Sequence, residues 1–266
     1  MRLPSAPRPR TAPRAHAARR VGAVAVAVLA LVLGAAGPAA AVANGEPVPS
    51  GQYRFSVKLT MTGIPRVDGT TYNSACSGAL VAPGWVITAG HCFHRFRVRV
   101  SGPVPYPTTA TVGVANLADP GARVANVVEV FQAAPDSDVA LARLDRAVRG
   151  VRPIRVRAAA PEEGEILRLT GWGATGPDTT HSSQLHTGQV EVTSVAATTV
   201  GVQGYAPAPD TSACPWDSGA PYFVERRRAA PLLVSLESTG PDCPHAEEET
   251  TARLDVLAGW IKATIG

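Results

Sequence analysis

Ser218 lies in the run CPWDSGAPYF, Cys214–Phe223, after an acid and before a small flexible residue, a setting in which a serine becomes a nucleophile. A serine hydroxyl is barely ionised at neutral pH. It needs a neighbouring base to take its proton and a third group to orient that base. Both are supplied upstream. His91 ends the alternating apolar run VITAGHC, Val86–Cys92, where a small-residue turn lets the imidazole project into a cleft. Asp138 stands in DSDVALARL, Asp136–Leu144, directly ahead of a segment that reads as a buried strand. Asp136 is the rival carboxylate, but it follows a proline and suits a solvated turn.

VITAGHC, DVALARL, TGWGATG (Thr170–Gly176) and CPWDSGAP together resemble the chymotrypsin/trypsin-like family of serine proteases, in its secreted bacterial type, from about Val42 to the C-terminal end. The resemblance implies a serine endopeptidase that works through an acyl-enzyme. Ser218 is then the nucleophile, His91 the general base and acid, and Asp138 the group that fixes the histidine tautomer. It implies an all-β fold, two packed six-stranded antiparallel Greek-key barrels with a C-terminal helix, over residues 42–266. His91 and Asp138 belong to the first barrel and Ser218 to the second. It also pairs Cys76 with Cys92 and Cys214 with Cys243.

Two departures from the family pattern bear on mechanism. The backbone N–H groups of Trp216 and Ser218 should form the oxyanion hole, and the family usually has glycine where this chain has Trp216. A Cβ there either strains the loop or turns the donor away, which leaves a catalytically impaired peptide-binding module as the alternative reading. VANGEPV, Val42–Val48, resembles the hydrophobic terminus that inserts on activation, so the Val42 ammonium is the expected partner of Asp217. For specificity, the resemblance implies that Ser212 occupies the pocket base and that Ser235, Leu236 and Glu237 form the strand that holds substrate. A neutral base favours apolar residues, but Glu237, and with it Glu249, adds carboxylates to the walls and points to a basic preference set by Glu237.

The 266-residue chain has 25 basic and 21 acidic residues, a net charge of +4. Six of the basic residues lie by Arg20 in a start without acids, so the remainder is slightly acidic and gives no reason to invoke nucleic acid or anionic lipid. That basic start, the apolar run Val21–Leu33 and Ala39, Ala40 and Ala41 read as a signal peptide over residues 1–41, removed on export. The apolar run is shorter than the roughly 20 residues that span a bilayer, which argues against a stable anchor. Arg19 and Arg20 raise the twin-arginine route. The expected product is an extracellular monomer acting on proteins or peptides, with no cofactor.

Four cysteines in an exported chain suggest two bridges. His91, Cys92 and His94 crowd like metal ligands, but a bridged Cys92 offers no thiolate, so no metal is expected. His181 and His186 read as loop residues in a Ser/Thr-rich stretch. Arg95, Arg97 and Arg99 alternate with Phe96, Val98 and Val100 as the wet face of a strand, with an exosite for acidic substrates as the sharper reading.

The elements that must position these groups are short strands. Phe55, Val57, Leu59 and Met61 set the period of a half-buried strand. Further strands are predicted at 79–81, 85–88, 96–100, 110–114, 127–131, 139–144, 167–171, 190–195 and 232–236, punctuated by 25 glycines and 24 prolines. One helix is expected at the end, capped by Asp255, with Leu257, Trp260, Ile261 and Ile265 on one face.

Overall fold

The computed structural model describes residues 42–174 and 181–266. The leader and the last two residues of TGWGATG lie outside the described residues. Twelve principal strands form two rings. The first comprises β1 (Ser56–Pro65), β2 (Thr71–Ala82), β3 (Trp85–Ala89), β4 (Thr108–Val112), β5 (Arg123–Gln132) and β6 (Val139–Leu144). They pair antiparallel in the order β6-β3-β2-β1-β4-β5, and the β5–β6 pairing closes the barrel. The second comprises β7 (Ile166–Gly171), β8 (His186–Val195), β9 (Thr199–Ala206), β10 (Pro221–Arg226), β11 (Ala229–Thr239) and β12 (Glu249–Arg253). Their order is β8-β7-β10-β11-β12-β9, closed by β8–β9. These are the two six-stranded antiparallel barrels expected.

The alternation seen in the sequence of β1 is the reason it closes. Val57, Leu59 and Met61 are 0%, 0% and 1% exposed and face the same interior as Leu80, Ile87 and Leu141. Burying each such side chain contributes about 1.5–3 kcal/mol relative to leaving it in water. Val42 packs into the second interior with Leu167, Leu169 and Tyr222. Across the junction, the Phe55 and Phe223 rings meet edge-on with centroids 5.2 Å apart, and Ser56 Oγ lies 2.8 Å from Thr170 Oγ1.

Several local expectations are corrected. Residues 96–100 do not form one continuous strand. The chain reverses there in a hairpin whose arms are His94–Arg95 and Val98–Arg99, with left-handed φ of 49° at Phe96 and 69° at Arg97. Arginine and aromatic alternation is shared by strands and by a tight hairpin, so periodicity did not separate them. Strands β9, β10 and β12 escaped the sequence reading. β9 is interrupted by Gly201 and Gly204, β10 starts at a proline, and β12 is polar. The helix α1 (Ala258–Ile265) follows a 3₁₀ turn at Asp255–Leu257, and its N-cap position is Leu257 without a side-chain cap. Asp255 instead receives Arg253 Nε at 2.7 Å and Nη2 at 2.8 Å. The expected apolar face does dock, since Leu257 and Ile261 are buried in the first cluster with Trp260 and Ile265 against it. No helix among the described residues is long and apolar enough to cross a membrane.

Candidate active site

Strand β3 ends in a 3₁₀ turn, Gly90–Cys92, that lifts His91 out of the barrel wall. The turn is fixed from three sides. Cys92 is bridged to Cys76 in β2, Gln132 Nε2 donates to Gly90 O at 2.9 Å, and the Tyr106 hydroxyl donates to Cys92 O. Asp138, just ahead of β6, holds the exposed histidine twice. Its Oδ1 accepts the His91 backbone N–H at 2.8 Å, and its Oδ2 lies 2.7 Å from His91 Nδ1. A carboxylate acceptor at Nδ1 places the proton there and leaves Nε2 as the basic nitrogen. Burial works to raise the Asp138 carboxyl, but hydrogen bonds from His91 and Ser238, with the His91 charge, hold it below the usual range. Asp136 is exposed on the preceding turn, as the sequence suggested.

Two supports of Asp138 were not legible in the sequence. Ser238 Oγ donates to Oδ2 at 2.7 Å from the end of β11, in the other barrel. Arg99 donates to Ser137 O at 2.7 Å and to Pro135 O at 2.6 Å, and its Nη1 is 3.7 Å from Asp138 Oδ1. Arg99 is therefore a brace of the aspartate turn, not part of a solvated strand face. Arg95 and Arg97 are exposed on the hairpin.

Ser218 sits on the tight loop between the Cys214–Cys243 bridge and β10. Its carbonyl accepts the Ser77 N–H of β2 at 2.9 Å, so the first barrel backs the loop directly. Gly219 allows this approach. Its φ is 80°, and a Cβ there would come 2.1 Å from Thr88 Oγ1 and 2.6 Å from Ser77 O. Ser218, His91 and Trp216 line one cavity of about 140 Å³ between the barrels, together with Met61, Tyr72 and His94. Trp216 takes φ of 73°, so the loop accepts a left-handed tryptophan.

Asp217 is 0% exposed. Gly173 N donates to it at 2.7 Å, Cys214 N at 3.0 Å, and Ser77 Oγ lies 3.5 Å away. Burial pushes its carboxyl well up, against the two amide hydrogen bonds, and the charge of Glu249 adds to the rise. Val42 is fully buried in the interior of the second barrel, and Ala43 N beside it donates to Ser212 O at 2.9 Å.

Ser235, Leu236 and Glu237, the expected substrate strand, have no backbone edge free to pair with a peptide. Ser235 and Leu236 are 0% exposed, and both edges of their strand are occupied, by β10 and by β12. Glu237 N and O likewise pair with Ala220 O and Gly219 N. Three residues on from Ser235, Ser238 is anchored by its bond to Asp138, and Thr239 and Gly240 after it are exposed. The run SLEST, Ser235–Thr239, offers two serines three residues apart, and only tertiary pairing tells them apart.

Below it lies a polar cluster. Ser212 is 1% exposed at the base, where His245 N donates to its Oγ at 3.3 Å. The Tyr222 hydroxyl is 2.8 Å from Glu237 Oε2 and 2.6 Å from Glu249 Oε2. Glu249 Oε1 accepts Ala213 N at 2.6 Å and faces His245 Nε2 at 3.3 Å. A phenol has one proton, so it can donate to only one of these carboxyls and must accept from the other. Burial, then the charge of Glu249, pushes Glu237 well up, which makes Glu237 the protonated member.

Of the remaining histidines, His186 is corrected from loop to strand: it opens β8 and is 7% exposed. His181 bridges to Ala174 on an otherwise irregular segment. His94 lines the cleft, its pKa lowered by burial and then by His91 and Arg97. Among the described residues no group of three His, Cys, Asp or Glu side chains is placed to hold a metal ion.

Two closed barrels with a histidine, an aspartate and a serine gathered at their junction define the chymotrypsin-like fold. The chain belongs to the trypsin family: the family model described as Trypsin matches residues 42–261. It is 27% identical over 252 residues to the suppressor of tumorigenicity 14 protein homolog of Bos taurus, covering 85% of this chain and 28% of that protein. It is 26% identical over 243 residues to the snake venom serine protease serpentokallikrein-1 of Protobothrops mucrosquamatus, covering 84% and 87%. The chain spans only 28% of that Bos taurus relative's length, and only 54% and 38% of two further curated relatives, transmembrane protease serine 11C and serine protease 56 of Mus musculus. Neuropsin, a serine protease expressed in the limbic system of mouse brain, shares the fold with a TM-score of 0.65 at 20% identity, over 84% of this chain and 99% of that one. A structure described as GrC does so with a TM-score of 0.65 at 22% identity, over 83% and 98%.

Proposed function

We propose that this chain is a secreted serine endopeptidase in which Ser218, His91 and Asp138 act as a triad. The observation that carries the reading is the double hold of Asp138 on His91, which leaves Nε2 as the free base in the cavity that Ser218 lines. Ser218 Oγ attacks the peptide carbonyl as His91 Nε2 takes its proton. The tetrahedral oxyanion is met by the N–H groups of Trp216 and Ser218, and the proton passes to the leaving amine. Water then repeats the sequence on the acyl-enzyme and frees Ser218. No step calls for a cofactor, metal or nucleic acid.

Residues 1–41 act as a removable leader and 42–266 as the protease domain. Cleavage after Ala41 frees the Val42 ammonium as a partner for Asp217. Support comes from the burial of Val42 and from an Asp217 carboxyl otherwise met by neutral donors. Export makes the product extracellular, and it acts on proteins or peptides as a monomer, with a preference for basic residues at the cleaved bond. The bacterial type named with the resemblance draws no support from the animal and venom relatives.

The second reading, a peptide-binding module, is favoured by the left-handed Trp216. A fluorophosphonate probe on the exported protein decides between them. Stoichiometric labelling of Ser218 that is lost in His91→Ala is expected. A folded, correctly processed protein that takes no label would establish the module instead.

A further inference from the structure

Lys58 is an unusual core residue. It lies on β1 of the first barrel, it is 3% exposed, and lysine is almost never buried without a partner. Its partners belong to the second barrel. Nζ donates to Ser182 O at 2.9 Å and lies 3.1 Å from His181 Nδ1. An ammonium has protons only to give, so Nδ1 is the acceptor and the His181 ring carries its own proton on Nε2. Burial, followed by the Lys58 charge, lowers the His181 pKa and keeps that ring neutral.

The other edge of the His181 ring is in use as well. It meets the Trp216 indole edge-on, with centroids 5.5 Å apart and planes at 77°. Ser182 N donates to Gly173 O at 2.8 Å, and Gly173 N donates to Asp217. Lys58 thus reaches the two residues that precede Ser218, Trp216 through the His181 ring and Asp217 through Ser182 and Gly173.

A left-handed tryptophan costs roughly 1–2 kcal/mol, and such strain persists only where the surroundings over-determine it. We propose that Lys58 is a positioning residue of the nucleophile loop, clamping His181 and Ser182 from the opposite barrel so that the His181 ring holds Trp216 in its left-handed conformation. The proposal rests on the protease reading for its kinetic consequence, but the clamp itself does not require activity.

The clamp has a distinctive pH response. Burial lowers the Lys58 ammonium to about 8, with the Asp217 charge acting in the opposite direction. Its strand neighbours are Ser77 and Thr111, so among the described residues the titratable groups facing it are His181 and Asp217. As pH rises through this range Lys58 loses its charge, its bonds weaken, and Trp216 is released.

The test compares the processed protein with Lys58→Met and Lys58→Arg. It reads kcat and KM across pH and the indole N–H resonance of Trp216 by NMR, assigned with Trp216→Phe. In the wild type, kcat and the Trp216 resonance should both change with a midpoint near pH 8. Lys58→Met should lower kcat by about tenfold with KM held within about twofold, and its Trp216 resonance should not titrate in that range. Lys58→Arg keeps the charge and should restore kcat while losing the alkaline midpoint.

A wild-type Trp216 resonance that stays fixed from pH 6 to 10, or one in Lys58→Met that overlays the wild type, overturns the proposal. If Lys58→Met does not fold, persistence of the midpoint in Lys58→Arg overturns it. A wild type that takes no fluorophosphonate removes the protease reading alone, because the resonance still decides the clamp.

Discussion

Ser238 Oγ lies 2.7 Å from Asp138 Oδ2, the oxygen that also receives His91 Nδ1, although the two residues come from different barrels and are 100 positions apart. The aspartate is therefore oriented by a residue at the end of β11, from the opposite barrel.

Replacing Ser238 by alanine removes one of the donors that keep the Asp138 carboxyl low. The expected result is a fall in kcat of about tenfold, since a donor to a charged acceptor contributes roughly 1.5–3 kcal/mol and part is recovered by water. The sign with pH is fixed by the direction of the Asp138 shift. Its depressed pKa confers stability at neutral pH that is lost as pH falls through the folded value, so Ser238→Ala should lose activity and unfold at a higher pH on acidification. Initial rates and acid-unfolding midpoints check both.

How much of this was legible depends on whether a residue acts within its own segment. His91, Asp138 and Ser218 sit in runs whose local pattern announces a turn or strand edge, and both bridges followed from the resemblance. The functions of Ser238, Arg99, Tyr222 and Lys58 arise from contacts made across the fold, and nothing in their immediate sequence distinguishes them from ordinary strand residues. The expected substrate segment, Ser235–Glu237, shows the same limit. Whether its backbone edges are free is decided by pairing with β10 and β12.

Trp216 separates two effects that glycine would combine. Trp216→Ala keeps a Cβ at a φ of 73° and loses the indole held by His181. Trp216→Gly loses the indole but relieves the strain, about 1 kcal/mol. The expected order of kcat is tryptophan, then glycine, then alanine, with alanine down by about tenfold. If alanine matches the wild type, indole packing does not govern the oxyanion N–H, and if glycine matches alanine, strain does not.

The Glu237–Tyr222–Glu249 bridge makes the fold sensitive to alkali. Burial and the Glu249 charge raise Glu237, so the folded state holds a proton that the unfolded chain releases near its ordinary pKa of about 4.3. Stability then falls as pH rises above that value and continues to fall until Glu237 ionises in the folded protein. Glu237→Gln should flatten this slope and stabilise the protein at pH 8 by at least about 1 kcal/mol. Tyr222→Phe should cost about 1–3 kcal/mol by leaving buried carboxyl atoms without their partner. Urea unfolding at a series of pH values measures both, and a slope unchanged in Glu237→Gln would show that Glu237 is ionised throughout.

The proposed preference for a basic side chain is expected to depend on Glu249 rather than Glu237 once these contacts are considered. Glu237 is committed to Tyr222 as the proton donor, so it brings no negative charge to the pocket. Glu249 accepts the Ala213 amide beside Ser212 and otherwise faces His245, whose pKa is raised chiefly by its hydrogen bond to Glu249. An incoming lysine or arginine can replace that histidine contact with a stronger charge-assisted bond. A peptide library should show the basic preference intact in Glu237→Gln and reduced by about tenfold or more in Glu249→Gln. Because His245 gains its proton as pH falls, it competes best in acid, and the preference should weaken below neutrality and strengthen above it. A preference that survives Glu249→Gln would place the selecting charge elsewhere on the cleft.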